Sequence, residues 1–347
     1  MSVASEPLLA IRDLTVEFDQ GDHFVQALHG VDIVIERGQS VGIVGESGCG
    51  KSITWLAVLG LLGSRARCAG SVKLDGEQIL NRPDRELTRI RGSRIAMIFQ
   101  DPASSLNPVH RIGRQIGEVL MLHRGLTGRA ARAEAHRLLD RVGISNALQR
   151  LDEYPHELSG GMNQRAMIAM ALAGEPDLLI ADEPTTALDA TIQAQILDLL
   201  HELRCENDMG LVLVSHDLGV VADMAERVAV MYCGRVIEES PGDRLFDAPR
   251  HPYTRGLMAA LPDIDGPKRR LKSIAGTVPP PRHLPPGCAF GPRCAHATPE
   301  CATHRPDLRP AGAPRHRAAC LHTDLIADSL DTGLAVPEAA DAEWETA

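Results

Sequence analysis

The chain has 347 residues, of which 44% are apolar and 24% are charged, and its formal net charge is −10 at pH 7. This composition is typical of a soluble globular protein, and the acidic balance disfavours a general nucleic-acid binder. The longest apolar runs, at 56–63 and 167–174, are far shorter than the roughly 18 residues of a membrane-spanning helix. The N-terminus has no basic region followed by an apolar segment, so we expect no secretory signal and a cytoplasmic protein.

The first strands are predicted at 8–18 and 25–36, joined by a polar turn. Phe18 or Phe24 could lie flat against an adenine ring, because stacking requires only a planar π-face. A core aromatic residue is an equally good interpretation of either position.

A glycine-rich loop at 45–52, Gly-Glu-Ser-Gly-Cys-Gly-Lys-Ser, matches the phosphate-loop pattern GxxxxGK(S/T). A predicted buried strand at 40–44 precedes it and a predicted apolar helix at 53–62 follows, so backbone N–H groups and a helix N-terminus converge where polyphosphate binds. Lys51 would reach the β- and γ-phosphates, and the Ser52 hydroxyl would ligate Mg²⁺. The other expected ATP contacts in this segment are Gly45, Ser47, Gly48, Cys49, Gly50 and Ile53.

A compact apolar strand is predicted at 94–100 and ends on Gln100, just before Asp101-Pro102. The Gln100 amide could present its oxygen to a metal or a water, although such a glutamine considered alone is more often structural.

Residues 107–155 are helical in pattern. We interpret them as a helical subdomain inserted into the nucleotide-binding core.

Ser159, Gly160 and Gly161 open another predicted helix. Ser159 is a good N-cap, and two adjacent glycines leave backbone N–H groups free for an anion. The alternative is a simple helix cap after a loop.

Two further buried strands are predicted to end on polar residues, at 178–183 and at 211–215. Asp182 at the end of the first could hold Mg²⁺ through water, and Glu183 could orient or deprotonate an attacking water. His216 follows the second and could donate a hydrogen bond to a γ-phosphate, or it is a structural histidine. Residues 228–239 are predicted to form a hairpin that turns at Cys233-Gly234.

Charge and cysteine are concentrated near the C-terminus. Residues 266–320 contain ten Lys or Arg against two acids, whereas 321–347 contain seven acids and no Lys or Arg. Because two disulfides are unexpected in a reducing cytosol, four cysteines of the basic segment predict a metal site of either zinc or iron–sulfur type. These cysteines are Cys288, Cys294, Cys301 and Cys320, and the histidines that could replace one of them around zinc are His296, His304 and His316.

Together these motifs resemble the ATP-binding subunit of an ABC transporter, over about residues 8–240. The resemblance is specific because the motifs follow one another in the order typical of the family. They are the phosphate loop, Gln100, Leu-Ser-Gly-Gly at 158–161, Asp182-Glu183 followed by Thr-Ala-Leu-Asp at 186–189, and then His216. The runs His-Pro-Tyr-Thr-Arg-Gly-Leu at 251–257 and Leu-Pro-Pro-Gly-Cys at 284–288 resemble the oligopeptide/dipeptide importer branch.

The resemblance implies an α/β fold: a P-loop NTPase of the ABC type with an antiparallel β subdomain, an inserted helical subdomain and a small metal-bound C-terminal extension. The implied domains are 1–240 for nucleotide binding, with the helical subdomain at about 101–165, and 241–322 for the extension. An acidic tail at 323–347 would be disordered.

It also implies roles for single residues. Phe18 would contact the adenine, Glu183 would be the general base and His216 would sense the γ-phosphate. Ser52, Gln100 and Asp182 would serve Mg²⁺. Ser159, Gly160 and Gly161 would complete the ATP site of an opposing subunit, although Met162 stands where many relatives have Gln. That branch carries a 4Fe–4S cluster on such cysteines, which favours the cluster over zinc.

The implied function is ATP hydrolysis that powers uptake of di- or oligopeptides, by a peripheral subunit at the cytoplasmic face of the inner membrane. Its partners would be two transmembrane permease subunits, a second, related but non-identical ATP-binding subunit and an extracytoplasmic substrate-binding protein. Import of nickel complexes or glutathione remains an alternative. A soluble ABC ATPase with a zinc-binding nucleic-acid module is less favoured, because the chain is acidic and lacks interleaved aromatic residues.

Overall fold

A computed structural model of the chain describes residues 6–101, 105–185, 189–260 and 274–324. The strands in chain order are β1 (Leu9–Asp19), β2 (Phe24–Ile35), β3 (Ser40–Val44), β4 (Ala66–Leu74), β5 (Glu77–Gln78), β6 (Ile95–Ile98), β7 (Leu178–Asp182), β8 (Gly210–Ser215), β9 (Arg227–Tyr232), β10 (Arg235–Pro241), β11 (Arg309–Pro310) and β12 (Arg317–Ala318). The helices are α1 (Lys51–Val58), α2 (Asp84–Leu87), α3 (Ile112–Arg124), α4 (Gly128–Arg141), α5 (Ala147–Arg150), α6 (Gly160–Leu172), α7 (Ala190–Asn207), α8 (Leu218–Met224), α9 (Gly242–Asp247), α10 (Pro252–Ala259) and α11 (Pro299–Thr303).

Two sheets organise the chain. The smaller is antiparallel, with the order β2-β1-β4-β5, and the larger has the order β11-β12-β10-β9-β3-β8-β7-β6. In the larger sheet β9, β3, β8, β7 and β6 are parallel. The carboxyl ends of β3, β7 and β8 therefore lie side by side, which brings the loops after these strands to one edge of the sheet.

The two faces of the larger sheet bury different cores, because successive side chains of a strand point to opposite faces. Val212 and Val214 of β8 join a core shared with the antiparallel sheet and α1. Leu211 and Leu213 join the core formed with α3 to α8. Strands buried on both faces explain the continuous apolar runs in the sequence.

Helices α3, α4 and α5 lie between β6 and α6, within the region predicted to be helical. An ion-pair network ties α3 to α4: the Arg124 guanidinium lies 2.8 Å from the Glu134 carboxylate, and Arg137 lies 2.6 Å from the same oxygen. Glu134 is largely buried in this contact.

Several element boundaries differ from the sequence prediction, and those of α1 and β6 bear on the site. Helix α1 ends at Val58 and not at 62, because Gly60 adopts a left-handed backbone with φ of 61°. Strand β6 ends at Ile98, two residues before Gln100, where its pairing with β7 stops.

The C-terminal residues continue the larger sheet. The predicted hairpin of β9 and β10 is confirmed, and it turns at Cys233-Gly234, both with positive φ. Strand β12 then pairs with β10, and beneath this contact His316 Nε2 lies 2.7 Å from the buried Glu238 carboxylate. Residues 325–347 of the predicted disordered tail and the predicted motif residues 186–188 lie outside the described residues.

No helix in the described parts of the chain is long and apolar enough to cross a membrane.

Candidate active site

The phosphate loop follows β3 and requires glycine at two positions. A Cβ on Gly45 would lie 2.3 Å from the Met231 carbonyl oxygen, and one on Gly50, where φ is 104°, would lie 2.6 Å from a Leu28 methyl. The Lys51 ammonium is buried beneath the loop and donates to the carbonyl oxygens of Gly45 (2.7 Å) and Glu46 (3.2 Å). The loop is thus wrapped around a positive charge, as a polyphosphate site requires.

Ser52 and Asp182 meet at the carboxyl end of β7. Burial raises the pKa of Asp182 above its usual range, and the neighbouring Ser52 hydroxyl lowers it by a smaller amount. Asp182 Oδ1 is buried and receives no hydrogen bond from any described residue. A buried carboxylate oxygen without a donor, beside a hydroxyl group, fits Mg²⁺, which prefers oxygen ligands.

Glu183 stands one residue further, where three segments converge. Its backbone takes a left-handed conformation, with φ of 49°, and its N–H donates to the Val214 carbonyl of β8 (2.9 Å). Gln100 Nε2 lies 2.8 Å from Glu183 Oε2, and His216 Nδ1 lies 3.3 Å from the same oxygen. Non-glycine residues rarely adopt this backbone, and such strain is concentrated at functional sites. The structure therefore brings Gln100, Glu183 and His216 together.

The two candidate aromatic residues are in different surroundings. Phe18 is half-buried and packs against the core beneath the antiparallel sheet, as the structural interpretation expects. Phe24 is 39% exposed, and the Arg67 guanidinium lies over its ring at 3.9 Å from the centroid. Adenine contact by Phe18 stays a prediction.

Ser159 caps α6, as predicted: its hydroxyl accepts the Met162 N–H at 3.3 Å. A Cβ on Gly161 would lie 3.1 Å from an Ile192 methyl, whereas a Cβ on Gly160 would meet no described atom within 4 Å. The packing of the described chain therefore gives no reason for glycine at 160.

Sequence reasoning missed two residues that contact the phosphate loop. Arg293 makes two hydrogen bonds to the Glu46 carboxylate, and the Tyr253 hydroxyl accepts the Glu46 N–H. The run at 251–257 was noted only as a family feature, and nothing local in the sequence connects it with position 46.

The four C-terminal cysteines, Cys288, Cys294, Cys301 and Cys320, line one small cavity. The His322 N–H donates to the Cys320 sulfur at 3.4 Å. Nearby backbone N–H groups, those of Phe290 and Gly291 for Cys288 and that of His296 for Cys294, lower the thiol pKa values by less than burial raises them. Such N–H donors stabilise a thiolate.

Burial nevertheless raises the pKa of Cys294 to about 12 and that of Cys320 to about 11, so a thiolate there requires a compensating cation. The donor set thus fits a metal in number and chemistry. Among the described residues, however, no three Cys, His, Asp or Glu side chains are arranged as a metal-ion site.

Comparisons with known proteins agree with this geometry. Residues 28–186 match the family model described as ABC transporter, and residues 237–301 match the model described as oligopeptide/dipeptide transporter, C-terminal region. The oligopeptide transport ATP-binding protein AppD of Bacillus subtilis is 49% identical over 303 residues, 87% of this chain and 92% of AppD. OppD of Haemophilus influenzae, with the same descriptive name, is 48% identical over 295 residues, 85% of this chain and 91% of OppD.

Among solved structures, a dimeric post-hydrolysis ATP-binding cassette bound to ADP and Pi is 30% identical, with a TM-score of 0.61 over 67% of this chain and 98% of that one. The α/β P-loop NTPase fold expected from the sequence is therefore confirmed. The chain belongs to the ATP-binding proteins of ABC transporters.

Proposed function

We propose that this chain hydrolyses ATP to power peptide uptake, as the ATP-binding subunit of an ABC importer. The observation that carries the proposal is the position of Glu183, held by Gln100 and His216 at the sheet edge next to Asp182. The names of AppD and OppD support the peptide substrate.

In this proposal Glu183 is the general base. Its carboxylate takes a proton from a water as the water oxygen bonds to the γ-phosphorus. The bond from that phosphorus to the β–γ bridging oxygen breaks, and ADP leaves with the electron pair. Gln100 orients Glu183, His216 donates to the γ-phosphate, and Lys51 neutralises phosphate charge. The contacts expected from the loop are those of Gly45, Ser47, Gly48, Cys49, Gly50, Ser52 and Ile53, with Phe18 at the adenine.

Mg²⁺ would be held by the Ser52 hydroxyl, the Gln100 amide oxygen and, through water, Asp182. When bound, it supplies positive charge to the phosphate oxygens. Glu183, which Gln100 and His216 contact, would act on the attacking water.

A second ATP-binding subunit, related but not identical, would complete each site. Ser159, Gly160 and Gly161 of one subunit would bind the γ-phosphate held by the phosphate loop of the other. No described atom lies within 4 Å of the Cβ position of Gly160, which supports this role because glycine there permits close approach of an external group. ATP bound by both surfaces favours the closed pair through its differential affinity for that state.

The remaining partners would be two permease subunits and an extracytoplasmic substrate-binding protein, with this chain peripheral on the cytoplasmic face of the membrane. Residues 1–240 would form the nucleotide-binding domain, with the permease contacted by Gln100 and the helical region at about 101–165. Residues 241–322 would form the extension.

We further propose a 4Fe–4S cluster on Cys288, Cys294, Cys301 and Cys320, with zinc as the alternative. The shared cavity and the backbone N–H groups near the sulfurs support a thiolate-bound metal. The cavity measures about 20 Å³, close to the room that one water occupies. Binding a four-iron cluster would therefore move the thiols outward, whereas a single zinc ion requires less movement.

Reconstitution in proteoliposomes tests the transport function. The complete importer, containing this chain or its Lys51→Ala variant, is supplied with ATP inside and a labelled tripeptide outside. We expect ATP-dependent uptake that Lys51→Ala abolishes and that the exposed control Lys73→Ala leaves unchanged. Uptake of a nickel complex or glutathione without peptide uptake would contradict the peptide assignment.

A further inference from the structure

The C-terminal extension reaches directly into the nucleotide site through Arg293. Its guanidinium makes two hydrogen bonds to the Glu46 carboxylate of the phosphate loop, Nη1 to Oε2 at 2.7 Å and Nη2 to Oε1 at 3.0 Å. It also donates to the Tyr232 hydroxyl (3.3 Å) and, through Nε, to the Ala275 carbonyl (2.9 Å). The Arg293 side chain is only 4% exposed, so this contact is part of the interior.

Tyr253 holds the same loop residue by its backbone. The Tyr253 hydroxyl accepts the Glu46 N–H at 2.8 Å. Its ring is completely buried and packs against Tyr232, at 4.6 Å between centroids, and against Phe290, at 5.4 Å. Phe290 precedes Arg293 by three residues, so the aromatic cluster and the ion pair belong to one contact surface.

Besides the Lys51 ammonium, which donates to the Gly45 and Glu46 carbonyl oxygens, few hydrogen bonds hold the loop. Cys49 N–H donates to the Glu46 carbonyl at a long 3.3 Å, and Gly234 N–H donates to the Cys49 carbonyl at 2.9 Å. A phosphate site acts through backbone N–H groups whose directions are set before the ligand arrives, because ordering them on binding lowers affinity. An external anchor at Glu46 supplies that order.

Arginine suits this anchor better than lysine would. Its planar guanidinium matches the two carboxylate oxygens with two parallel hydrogen bonds, whereas an ammonium group makes a single point contact. The pair is also mutually dependent, since a buried Arg293 without Glu46 would be an uncompensated charge.

We propose that Arg293 and Tyr253 are positioning residues for ATP: acting through Glu46, they fix the phosphate loop, so that the C-terminal extension is a structural part of the nucleotide site. The inference rests on the ATP-binding role proposed above but is independent of the transported substrate.

The test compares ATP binding and turnover in the full-length chain. Binding of Mg-ATP is measured by calorimetry, and steady-state hydrolysis is measured in the reconstituted importer. For Arg293→Gln we expect the dissociation constant and KM for ATP to rise about tenfold, with kcat within about twofold because Glu183 is untouched. Arg293→Lys restores part of the affinity. The matched control is Arg282→Gln, an exposed arginine of the same extension that donates to Gln20, and we expect it to leave both constants unchanged.

A double variant establishes the route. If Arg293 acts through Glu46, Glu46→Gln combined with Arg293→Gln weakens ATP binding no more than the worse single change. Tyr253→Phe removes only the hydroxyl and keeps the buried ring, so it serves if Arg293→Gln fails to fold, and we expect about a threefold loss of affinity.

Folded Arg293→Gln and Tyr253→Phe proteins that bind ATP within twofold of the unaltered chain would overturn the proposal, as would fully additive losses in the double variant. Failure of the transport function is distinguishable from both: ATP binding and hydrolysis would then respond as expected here, without peptide uptake.

Discussion

Gln100 and Glu183 lie 83 positions apart in the chain, and the Gln100 amide donates to Glu183 Oε2 at 2.8 Å. The contact joins the segment after β6 to the end of β7, which are neighbours in the sheet. It fixes the direction of a carboxylate whose backbone is already held in a left-handed conformation.

Removing the amide tests whether this orientation matters. For Gln100→Ala we expect kcat for ATP hydrolysis to fall by about ten- to a hundredfold, as part of the general-base contribution is lost. ATP affinity should change far less, because Lys51 and the phosphate loop are intact. A phosphate-release assay measures kcat, and calorimetry measures the affinity for ATP. Unchanged turnover would show that Gln100 does not position the base.

Gly160 offers a test of the subunit pair. Because a Cβ there meets no described atom, Gly160→Val should leave the melting temperature of the isolated chain nearly unchanged. It should reduce ATP-dependent association with the second subunit at least tenfold, measured by light scattering with hydrolysis blocked. Gly117→Val in α3, which also points into space free of described atoms, is the control for added bulk. Equal association of the two variants would contradict the signature role.

The phosphate loop and the acids after β7 were predictable because each is a contiguous pattern beside a buried strand. The pattern at 45–52 requires glycine at positions 45 and 50, where a Cβ would lie within 3 Å of a neighbouring atom. Likewise, the near-continuous apolar run that ends in Asp182 and Glu183 is typical of a strand buried on both faces.

The contact of Arg293 with Glu46 was not predictable. The two residues are 247 positions apart in the chain, and Arg293 lies in a single short turn, Gly291–Arg293, that has no periodic pattern. The contact of Phe24 with Arg67 was not predictable either. Arg67 lies on β4, which pairs with β1, and this strand pairing cannot be deduced from the local sequence.

The cysteine cavity predicts a visible signature. Protein purified without oxygen should be brown, with absorption in the blue that bleaches on reduction, and Cys288→Ser should lose the colour. The control is Cys205→Ser, which removes an exposed thiol on α7 outside the cavity and should keep the colour. Colourless anaerobic protein with one zinc per chain would refute the cluster and support the alternative metal.

Glu134 makes the helical region sensitive to acid. Hydrogen bonding from Arg137, opposed by burial and aided by Arg124, lowers the pKa of Glu134 to about 2. Because the pKa of Glu134 is lower in the folded chain than in the unfolded chain, where it is near 4.3, the ionised carboxylate stabilises the folded state at pH values above about 4.3. This contribution disappears as the pH falls towards 2. Glu134→Gln should cost about 1 kcal/mol of unfolding free energy at pH 7, allowing for solvent screening near the surface.

Urea titrations at pH 7, 4 and 3 measure this difference, which should shrink steadily with acidification. The comparison variant is Asp152→Asn. The Asp152 carboxylate pairs with Arg132 and Arg111 at an exposed position. A difference for Glu134→Gln that is independent of pH would mean that packing, and not charge, connects α3 with α4.

The central claim is that Glu183 removes the proton from the attacking water, and Glu183→Gln tests it most directly. The amide is nearly isosteric but cannot accept that proton. We expect ATP hydrolysis by the reconstituted importer to fall by about 10²–10⁴-fold, while the dissociation constant for Mg-ATP stays within about threefold. Turnover within a few-fold of the unaltered protein, at equal ATP occupancy, would contradict the account.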